Sequence, residues 1–316
     1  MISGSLSFTE ELGQRIRELR EELNAVILAH NYQRPEVQDV ADFLGDSLEL
    51  SRKATQTQAE IIVFCGVDFM AESASILNPE KMVLLPELNA ACPMAAMITP
   101  EDVRVLRERH PGAPVVCYVN SSAAVKAESD ICCTSANAIK VVNSLSEEEI
   151  IFIPDEYLGR YVASKTKKEI VLHPGFCPTH ARLKAGEIHF LKEAFPDAEI
   201  IVHPECTPEV IALADAVLST SQMVRYAKES AAKIFIVGTE EGLLYRLRRE
   251  NPRKTFHLAS STLICPNMKK ITLESVTRSL ERRQHIITVP EETRQAAVRA
   301  LDRMLAIKQD RTSASD

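Results

Sequence analysis

Three cysteines, each followed directly by a proline, are the residues of this sequence that point most clearly to chemistry: Cys92, Cys177 and Cys265. They lie 85 and then 88 residues apart, and each follows an apolar, strand-like segment. This spacing indicates one structural unit that occurs three times along the chain. If the three units are arranged about a pseudo-threefold axis, the three thiols lie together on the floor of one central cavity.

Three thiolates in equivalent positions suit either a zinc site with a fourth ligand or a cubane iron–sulfur cluster. Structural zinc usually takes its cysteines in close pairs, and no C-x2-C pair occurs here, which favours a [4Fe-4S] cluster. Such a cluster, held by three cysteines, leaves one iron free to act as a Lewis acid. Cys206 is a rival fourth ligand. The remaining cysteines lie in or beside apolar runs and are expected to be buried: Cys65, Cys117, Cys132 and Cys133.

Polar residues follow the first strand of each unit, where parallel sheets bind ligands. His30 and His203 can change protonation near neutral pH, although a histidine at a strand end is also a common structural residue. Glu205 is a candidate general base, and Tyr32 and Tyr118 are candidate proton donors.

Hydroxyl residues lie at a polar break in the middle of each unit: Ser47, Ser135 and the segment 219–221. Hydroxyl and backbone N–H groups at the start of a helix can bind phosphate or carboxylate. The same residues also suit N-caps, and one serine can serve both purposes. Neither G-x-x-x-x-G-K-[ST], G-x-G-x-x-G nor H-E-x-x-H occurs, so nucleotide cofactors and that zinc motif are not indicated.

The order of elements predicts the fold. Each unit reads strand, helix, strand, helix, strand, with nearly continuous apolar strands, which indicates a small parallel sheet covered by helices on both faces. The predicted class is α/β, with three pseudo-threefold-related three-layer αβα domains around a central cavity. The predicted domains are 1–98, 99–184 and 185–270, the first completed by 271–316. In that last segment we expect a helix at 272–283, a strand at 285–289, a helix at 290–308 and a disordered tail at 310–316.

Composition excludes several classes of protein. A formal net charge of -7 argues against a general binder of nucleic acid or of membrane surfaces, so an anionic substrate has to be bound by local groups. The N-terminus does not resemble a signal peptide, and no apolar run approaches the roughly 18 residues of a membrane span. We therefore expect a cytoplasmic protein whose cysteines are not paired as disulfides.

The motifs together resemble those of one family, quinolinate synthase, the A protein of bacterial and archaeal NAD biosynthesis, over nearly the whole chain. The segments that carry the resemblance are 29–33 (AHNYQ), 45–48 (GDSL), 117–120 (CYVN), 174–180 (PGFCPTH), 203–206 (HPEC), 219–221 (STS) and 265–269 (CPNMK).

The resemblance implies a [4Fe-4S] cluster held by Cys92, Cys177 and Cys265. It implies condensation of iminoaspartate (iminosuccinate) with dihydroxyacetone phosphate to quinolinate, phosphate and water, with the free iron binding the hydroxyl that leaves. The implied catalytic residues are Tyr32, Tyr118, His203 and Glu205, with Tyr32 and Glu205 taking part in proton transfers. The implied substrate-binding residues are His30, Ser47, Tyr118, Val119, Asn120, Ser135, His203, Pro204, Glu205 and Thr220.

The resemblance also suggests a partner, because iminoaspartate is unstable: a flavin-dependent aspartate oxidase or an aspartate dehydrogenase would supply it. Some relatives carry C-x-x-C-x-x-C at the third cysteine, linked to thiol redox control. This chain has Cys265 alone there, so redox switching at that position is not expected.

Three other functions remain open from the residues themselves. An aconitase-like hydro-lyase acting on a small hydroxy acid would share the cluster without needing a phosphate site. An iron–sulfur electron carrier would normally hold every iron by a protein ligand. A structural zinc protein would contain no acid-labile sulfide.

Overall fold

The structure is a computed structural model that describes residues 7–307. Its helices and strands follow one another in three similar series. The first series is α1 (Phe8–Glu22), β1 (Ala25–His30), α2 (Pro35–Val40), β2 (Phe43–Gly45), α3 (Ser47–Gln56), β3 (Ile61–Cys65), α4 (Asp68–Leu77) and β4 (Met82–Leu84). The second is α5 (Pro100–Arg109), β5 (Val115–Tyr118), α6 (Ala123–Ala127), β6 (Ile131–Cys133), α7 (Ala138–Ser144), β7 (Glu149–Ile153), α8 (Glu156–Ala163) and β8 (Glu169–Leu172).

The third series is α9 (Ala185–Ala194), β9 (Glu199–Val202), α10 (Pro208–Ile211), β10 (Ala216–Val217), α11 (Thr220–Glu229), β11 (Ile234–Gly238), α12 (Leu243–Glu250) and β12 (Thr255–Leu258). Two helices end the described chain, α13 (Leu273–Arg282) and α14 (Glu291–Ala306). The described residues divide into two compact units, residues 7–91 with 266–289 and residues 92–265 with 290–307. The first unit contains one sheet and the second contains two.

Each series forms a parallel four-stranded sheet with the same strand order. The orders are β2-β1-β3-β4, β6-β5-β7-β8 and β10-β9-β11-β12. The central strands β1, β3, β5 and β7 are buried almost throughout, as expected for a parallel sheet between helices. The predicted α/β class with three αβα sheets is therefore confirmed. In each sheet the chain order reverses between the first and third strands, and this switch point is where such sheets bind ligands.

Two details of the predicted elements are wrong. Each sheet has a fourth strand that the sequence analysis did not predict: β2, β6 or β10. These strands are at most three residues long, too short to show a hydrophobic pattern in the sequence. The strand expected at 285–289 is an irregular segment with a single antiparallel bridge, Leu84 to Ile286. Arg283 and His285 both have positive φ, so the backbone bends where a strand would begin.

The C-terminal helices pack in different places. Helix α13 lies against α1 in the first unit. Helix α14 instead buries Ala297, Ala300, Leu301 and Met304 and packs on α6 and β6 in the second unit. The expectation that all of 271–316 completes the first repeat is therefore wrong for α14. The boundaries at 98/99 and 184/185 stay predictions, and the expected tail 310–316 lies outside the described residues.

The loops that carry the three Cys-Pro dipeptides share one backbone arrangement. In each loop the carbonyl two residues before the cysteine accepts an N–H from the segment after the middle strand: Asp68 to Ala90, 2.9 Å; Glu156 to Gly175, 2.7 Å; Glu241 to Leu263, 2.9 Å. A 3₁₀ turn begins three residues after each cysteine: Ala95–Met97, His180–Arg182 and Met268–Lys270. The repeat seen in the sequence is thus a structural repeat at the level of individual hydrogen bonds.

Within residues 7–307, no helix combines the length and apolar character needed to cross a membrane.

Candidate active site

Glu205, three residues after the end of β9, is the centre of a buried polar network in the second unit. Its side chain is 3% exposed. Oε1 accepts hydrogen bonds from Tyr118 Oη at 2.8 Å and Asn120 Nδ2 at 3.3 Å. Oε2 lies 2.8 Å from His180 Nδ1 and 3.3 Å from His203 Nδ1. Four side chains therefore hold one carboxylate in place.

These contacts join the carboxyl ends of two sheets. Tyr118 ends β5 of one sheet, whereas Glu205 follows β9 of the other. His203 Nε2 lies 3.2 Å from Ser135 Oγ, just beyond β6. His180 Nε2 lies 2.9 Å from Thr239 Oγ1, just beyond β11. The strand ends of both sheets in this unit thus line one polar site, as doubly wound sheets allow.

The charges in this network are set by burial and by pairing. Burial alone would raise the pKa of Glu205, but the adjacent charges of His203 and His180 and their hydrogen bonds hold it well below its ordinary value. Burial lowers the pKa of His203, more than Glu205 raises it. The rings of His180 and His203 are stacked, with centroids 4.7 Å apart and 24° between planes. An ionised carboxylate beside two imidazoles can accept, hold and return a proton.

Asp155 is a further buried acid of this unit, at the end of β7. Its Oδ1 accepts the Leu158 N–H at 2.9 Å and so caps α8. Its Oδ2 is buried without a hydrogen-bond partner among the described residues. Burial, followed by the charge of Glu205, raises the pKa of Asp155 well above its ordinary value, which favours the protonated form of this carboxyl.

Cys177 lies next to the network. Its Sγ is 3.2 Å from His180 Nδ1. Cys177, His180 and Glu205 each offer one ligand atom, all within 4.8 Å of one another, and this group of donors could hold a metal ion. Burial, the charge of Glu205, and then the charges of Cys92 and Cys265 raise the pKa of Cys177 well above its ordinary value. The thiols of Cys92 and Cys265 are therefore close enough to act electrostatically on Cys177.

The three cysteines also differ from the rest in exposure. Cys92, Cys177 and Cys265 are half-buried, whereas the other five cysteines of the chain are buried. Cys206, the rival ligand, is fully buried and its thiol donates to the carbonyl of Gly238 at 3.4 Å. Burial raises its pKa. Cys206 is thus packed as a core residue rather than offered to a ligand.

The predicted residues of the first unit lie near one another in that unit. The rings of His30 and Tyr32 are in edge contact, with centroids 4.6 Å apart, and the Tyr32 N–H donates to His30 Nδ1 at 3.2 Å. Lys269 Nζ donates to the Tyr32 carbonyl at 2.7 Å. Ser47 begins α3 beyond β2, whose Gly45 pairs with His30. These residues share the carboxyl end of their sheet.

With one exception, the helix N-caps are not the residues that the sequence suggested. Asp46 caps α3 and Ser219 caps α11, so Ser47 and Thr220 both occupy the first helical position. Ser135 contacts His203 rather than capping a helix. Of these hydroxyl residues, only Ser219 is an N-cap. Val119 and Pro204, predicted to bind substrate, are buried backbone neighbours of this network.

Two residues of the site were missed from the sequence, His180 and Asp155. His180 is the third residue after Cys177, and its counterparts in the other two loops are Ala95 and Met268. A histidine where both other loops have an apolar residue is a difference in the sequence that could have indicated a functional role. Asp155 directly follows a strand and precedes a helix, a position that favours an N-cap and so hides any further role.

Comparison with known proteins shows which proteins this chain is similar to. Residues 14–306 match the family described as NadA, quinolinate synthetase A protein. A quinolinate synthase of Dehalococcoides mccartyi (strain CBDB1) is 57% identical over 300 residues, 95% of this chain and 99% of the relative. One of Geotalea uraniireducens (strain Rf4) is 58% identical over 303 residues, 96% and 100%. Quinolinate synthase 1 of Methanosarcina acetivorans is 56% identical over 298 residues, 94% and 98%.

Proposed function

Because the chain belongs to the quinolinate synthetase A protein family, we propose that it is a quinolinate synthase of NAD biosynthesis, which condenses iminoaspartate with dihydroxyacetone phosphate to quinolinate, phosphate and water. The observation that supports this most is the ionised, buried Glu205, held by Tyr118 and two histidines beside Cys177. A condensation followed by dehydration needs a fixed base and proton donors close to a Lewis acid.

The donor set fits a [4Fe-4S] cluster on Cys92, Cys177 and Cys265. These three cysteines alone are half-buried, and the pKa of the Cys177 thiol is raised by burial, by the charge of Glu205 and, in smaller part, by the charges of Cys92 and Cys265. Thiols that repel one another when ionised are stabilised as thiolates by iron. When bound, the cluster would supply an iron without a protein thiolate, which polarises a substrate oxygen.

The protein residues would bind the substrate and move protons. Glu205 accepts a proton from substrate carbon or nitrogen. Tyr118, which is hydrogen-bonded to Glu205 Oε1, then gives its own hydroxyl proton to the substrate and is reprotonated by the Glu205 carboxyl, which returns Glu205 to the carboxylate. His203 is held by Ser135, and burial lowers its pKa, which favours release of its proton. The backbone segments around Val119 and Pro204 and the side chains of Asn120, Ser135 and Thr220 then bind the iminoaspartate-derived part.

The equivalent residues of the first unit take the same parts in this proposal. His30 and Ser47 bind substrate, and Tyr32 takes part in proton transfer. The proposal draws on the position of these residues at or just beyond the ends of β1 and β2, which matches that of Tyr118 at the end of β5 and of Glu205 beyond β9.

The test is an assay of the anaerobically purified protein. Iron and acid-labile sulfide are measured first, and the protein is then supplied with dihydroxyacetone phosphate and with iminoaspartate generated by an aspartate oxidase or an aspartate dehydrogenase. We expect quinolinate and phosphate to appear together, and Glu205→Gln to abolish both. Phosphate release that does not require iminoaspartate, or turnover of a hydroxy acid alone, would favour the hydro-lyase. A colourless protein without sulfide would favour structural zinc.

A further inference from the structure

Glu240 is a buried acid outside the catalytic network. It follows β11 in the third series and its side chain is fully buried. Its Oε1 accepts the backbone N–H of Cys265 at 3.0 Å, and its Oε2 accepts the N–H of Gly242 at 2.7 Å. Both oxygens thus accept from backbone donors, which is the bonding pattern of a carboxylate.

The bond to Cys265 links residues 25 apart in the sequence. It comes in addition to the backbone bond from Glu241 to Leu263, which all three cysteine loops share in equivalent form. The third loop is therefore held at two points, at the carbonyl before the cysteine and at the cysteine itself.

The aligned residues of the other two series do not have this role. The residue before the shared backbone donor is Val67 in the first series, Asp155 in the second and Glu240 in the third. The side chain of Val67 has no acceptor atom, and Asp155 Oδ1 accepts from Leu158 at the start of α8. Within residues 7–307, Glu240 is the member of this set that reaches a Cys-Pro cysteine.

We propose that Glu240 is a positioning residue for Cys265. It holds the backbone of this cysteine so that the sulfur faces the proposed cluster site. It also occupies the Cys265 N–H, so that this group does not donate to a sulfur atom. This inference rests on the proposed function in that Cys265 is a cluster ligand there. The hydrogen bond itself does not depend on a cluster.

Two consequences follow from this arrangement. Without the carboxylate, the loop around Cys265 opens more often, because a buried, charge-assisted hydrogen bond is lost. With a cluster bound, loss of the carboxylate removes a nearby negative charge and frees an N–H to donate to sulfur. Both changes favour the reduced cluster and make its reduction potential more positive.

The variant is Glu240→Val, which places in the third series the residue that the first series has at the aligned position, Val67. The matched control is Glu241→Gln, which removes a neighbouring charge and leaves the acceptor of the Cys265 N–H in place. Neither residue belongs to the proposed catalytic network.

The first measurement uses full-length, cluster-free protein, in which the rate of alkylation by iodoacetamide is followed at each cysteine by mass spectrometry. We expect Glu240→Val to raise the rate at Cys265 about tenfold, with the rates at Cys92 and Cys177 as internal references that stay within about twofold. Glu241→Gln leaves all three rates unchanged. An unchanged Cys265 rate in Glu240→Val would overturn the proposal.

The second measurement is the reduction potential of the reconstituted cluster, followed by EPR. A more positive potential in Glu240→Val than in Glu241→Gln supports the proposal, and equal potentials contradict it. If the wild-type protein takes up no iron and sulfide, the proposed function fails, while the alkylation rates still decide the role of Glu240. If Glu240→Val does not fold, hydrogen exchange in the wild-type protein decides: a Cys265 amide that exchanges as fast as an exposed one contradicts the proposal.

Discussion

The hydroxyl of Tyr118 and the carboxylate of Glu205 lie 2.8 Å apart, although 87 residues separate them in the chain. Tyr118 ends a strand of one sheet, and Glu205 follows a strand of the next. This single hydrogen bond shows how two similar sheets create a site that neither sheet has by itself: each sheet supplies one half of an acid–base pair.

Tyr118→Phe is expected to lower kcat about a hundredfold or more, because Glu205 loses its closest proton donor. The buried carboxylate also loses a hydrogen bond, which costs about 1–3 kcal/mol of unfolding free energy. Initial rates and urea unfolding measure the two effects. Tyr161→Phe, on the surface of α8, is the matched control and should change neither quantity; a fully active Tyr118→Phe protein would rule out this role.

Cys92→Ala, Cys177→Ala and Cys265→Ala are each expected to lose iron, sulfide and turnover together, because a three-thiolate site does not hold a cubane cluster after losing one ligand. Cys65→Ala is the control. Cys65 is fully buried in β3, and burial raises its pKa to about 12, so it packs as a small apolar residue. This variant should keep its cluster at a cost of about 1 kcal/mol of stability. A coloured, active Cys177→Ala protein would refute the ligand assignment.

His180→Ala is expected to destabilise the fold by about 3–5 kcal/mol, because it leaves the buried carboxylate of Glu205 without one of its two closest partners. Thr239→Val removes only the contact at the other ring nitrogen and should cost about 1 kcal/mol. Unfolding in urea, measured on cluster-free protein, compares the two variants. Equal losses would mean that the ion pair with Glu205 contributes little.

Ser219→Ala and Thr220→Val are expected to separate stability from substrate binding. Ser219 caps α11 through the Gln222 N–H, so its loss costs about 1 kcal/mol of unfolding free energy and leaves KM unchanged. Thr220→Val should cost no more unfolding free energy than Ser219→Ala and should raise KM for iminoaspartate about tenfold. If Thr220→Val lowers the unfolding free energy and leaves KM unchanged, then Thr220 contributes to stability and not to substrate binding.

A buried thiol next to the site predicts a pH dependence of stability. Burial raises the pKa of Cys117, but a hydrogen bond with Cys132, the charge of Lys126 and hydrogen bonds with serines outweigh it and lower the pKa to about 7, from 9.0. Lys126 is itself fully buried. The folded protein therefore loses this proton more readily than the unfolded chain does. The resulting stabilisation is present above about pH 9 and is lost as the pH falls through about 7.

Lys126→Met is expected to remove this dependence, because the thiol then keeps its proton across the window. Urea unfolding at both ends of the window should show that stability changes more favourably with rising pH in the wild-type protein than in Lys126→Met. The buried thiols whose pKa is raised, such as Cys65 and Cys133, oppose the gain in both proteins. Lys140→Met, an exposed lysine of the same unit, is the control and should retain the wild-type slope. Parallel slopes in all three proteins would contradict the assignment of Cys117.

The repeat, the fold class and the three candidate cysteines were determined by the sequence alone. Apolar runs of about five residues and the regular spacing of Cys-Pro are properties of the linear sequence, so they can be recognised without the structure. The motifs around His30, Tyr118 and Glu205 likewise identified the family, because each combines several chemically unusual residues within a few positions.

The tertiary structure decided which of these residues touch. Strands β2, β6 and β10 are too short to have a readable period, and an amphipathic helix such as α14 does not encode which surface it covers. His180 and Glu240 act through bonds to residues 25 away in the chain, and the pKa of Asp155 is raised because this side chain is buried and interacts with the charge of Glu205. Contacts and burial of this kind arise when the chain packs, and no local pattern records them.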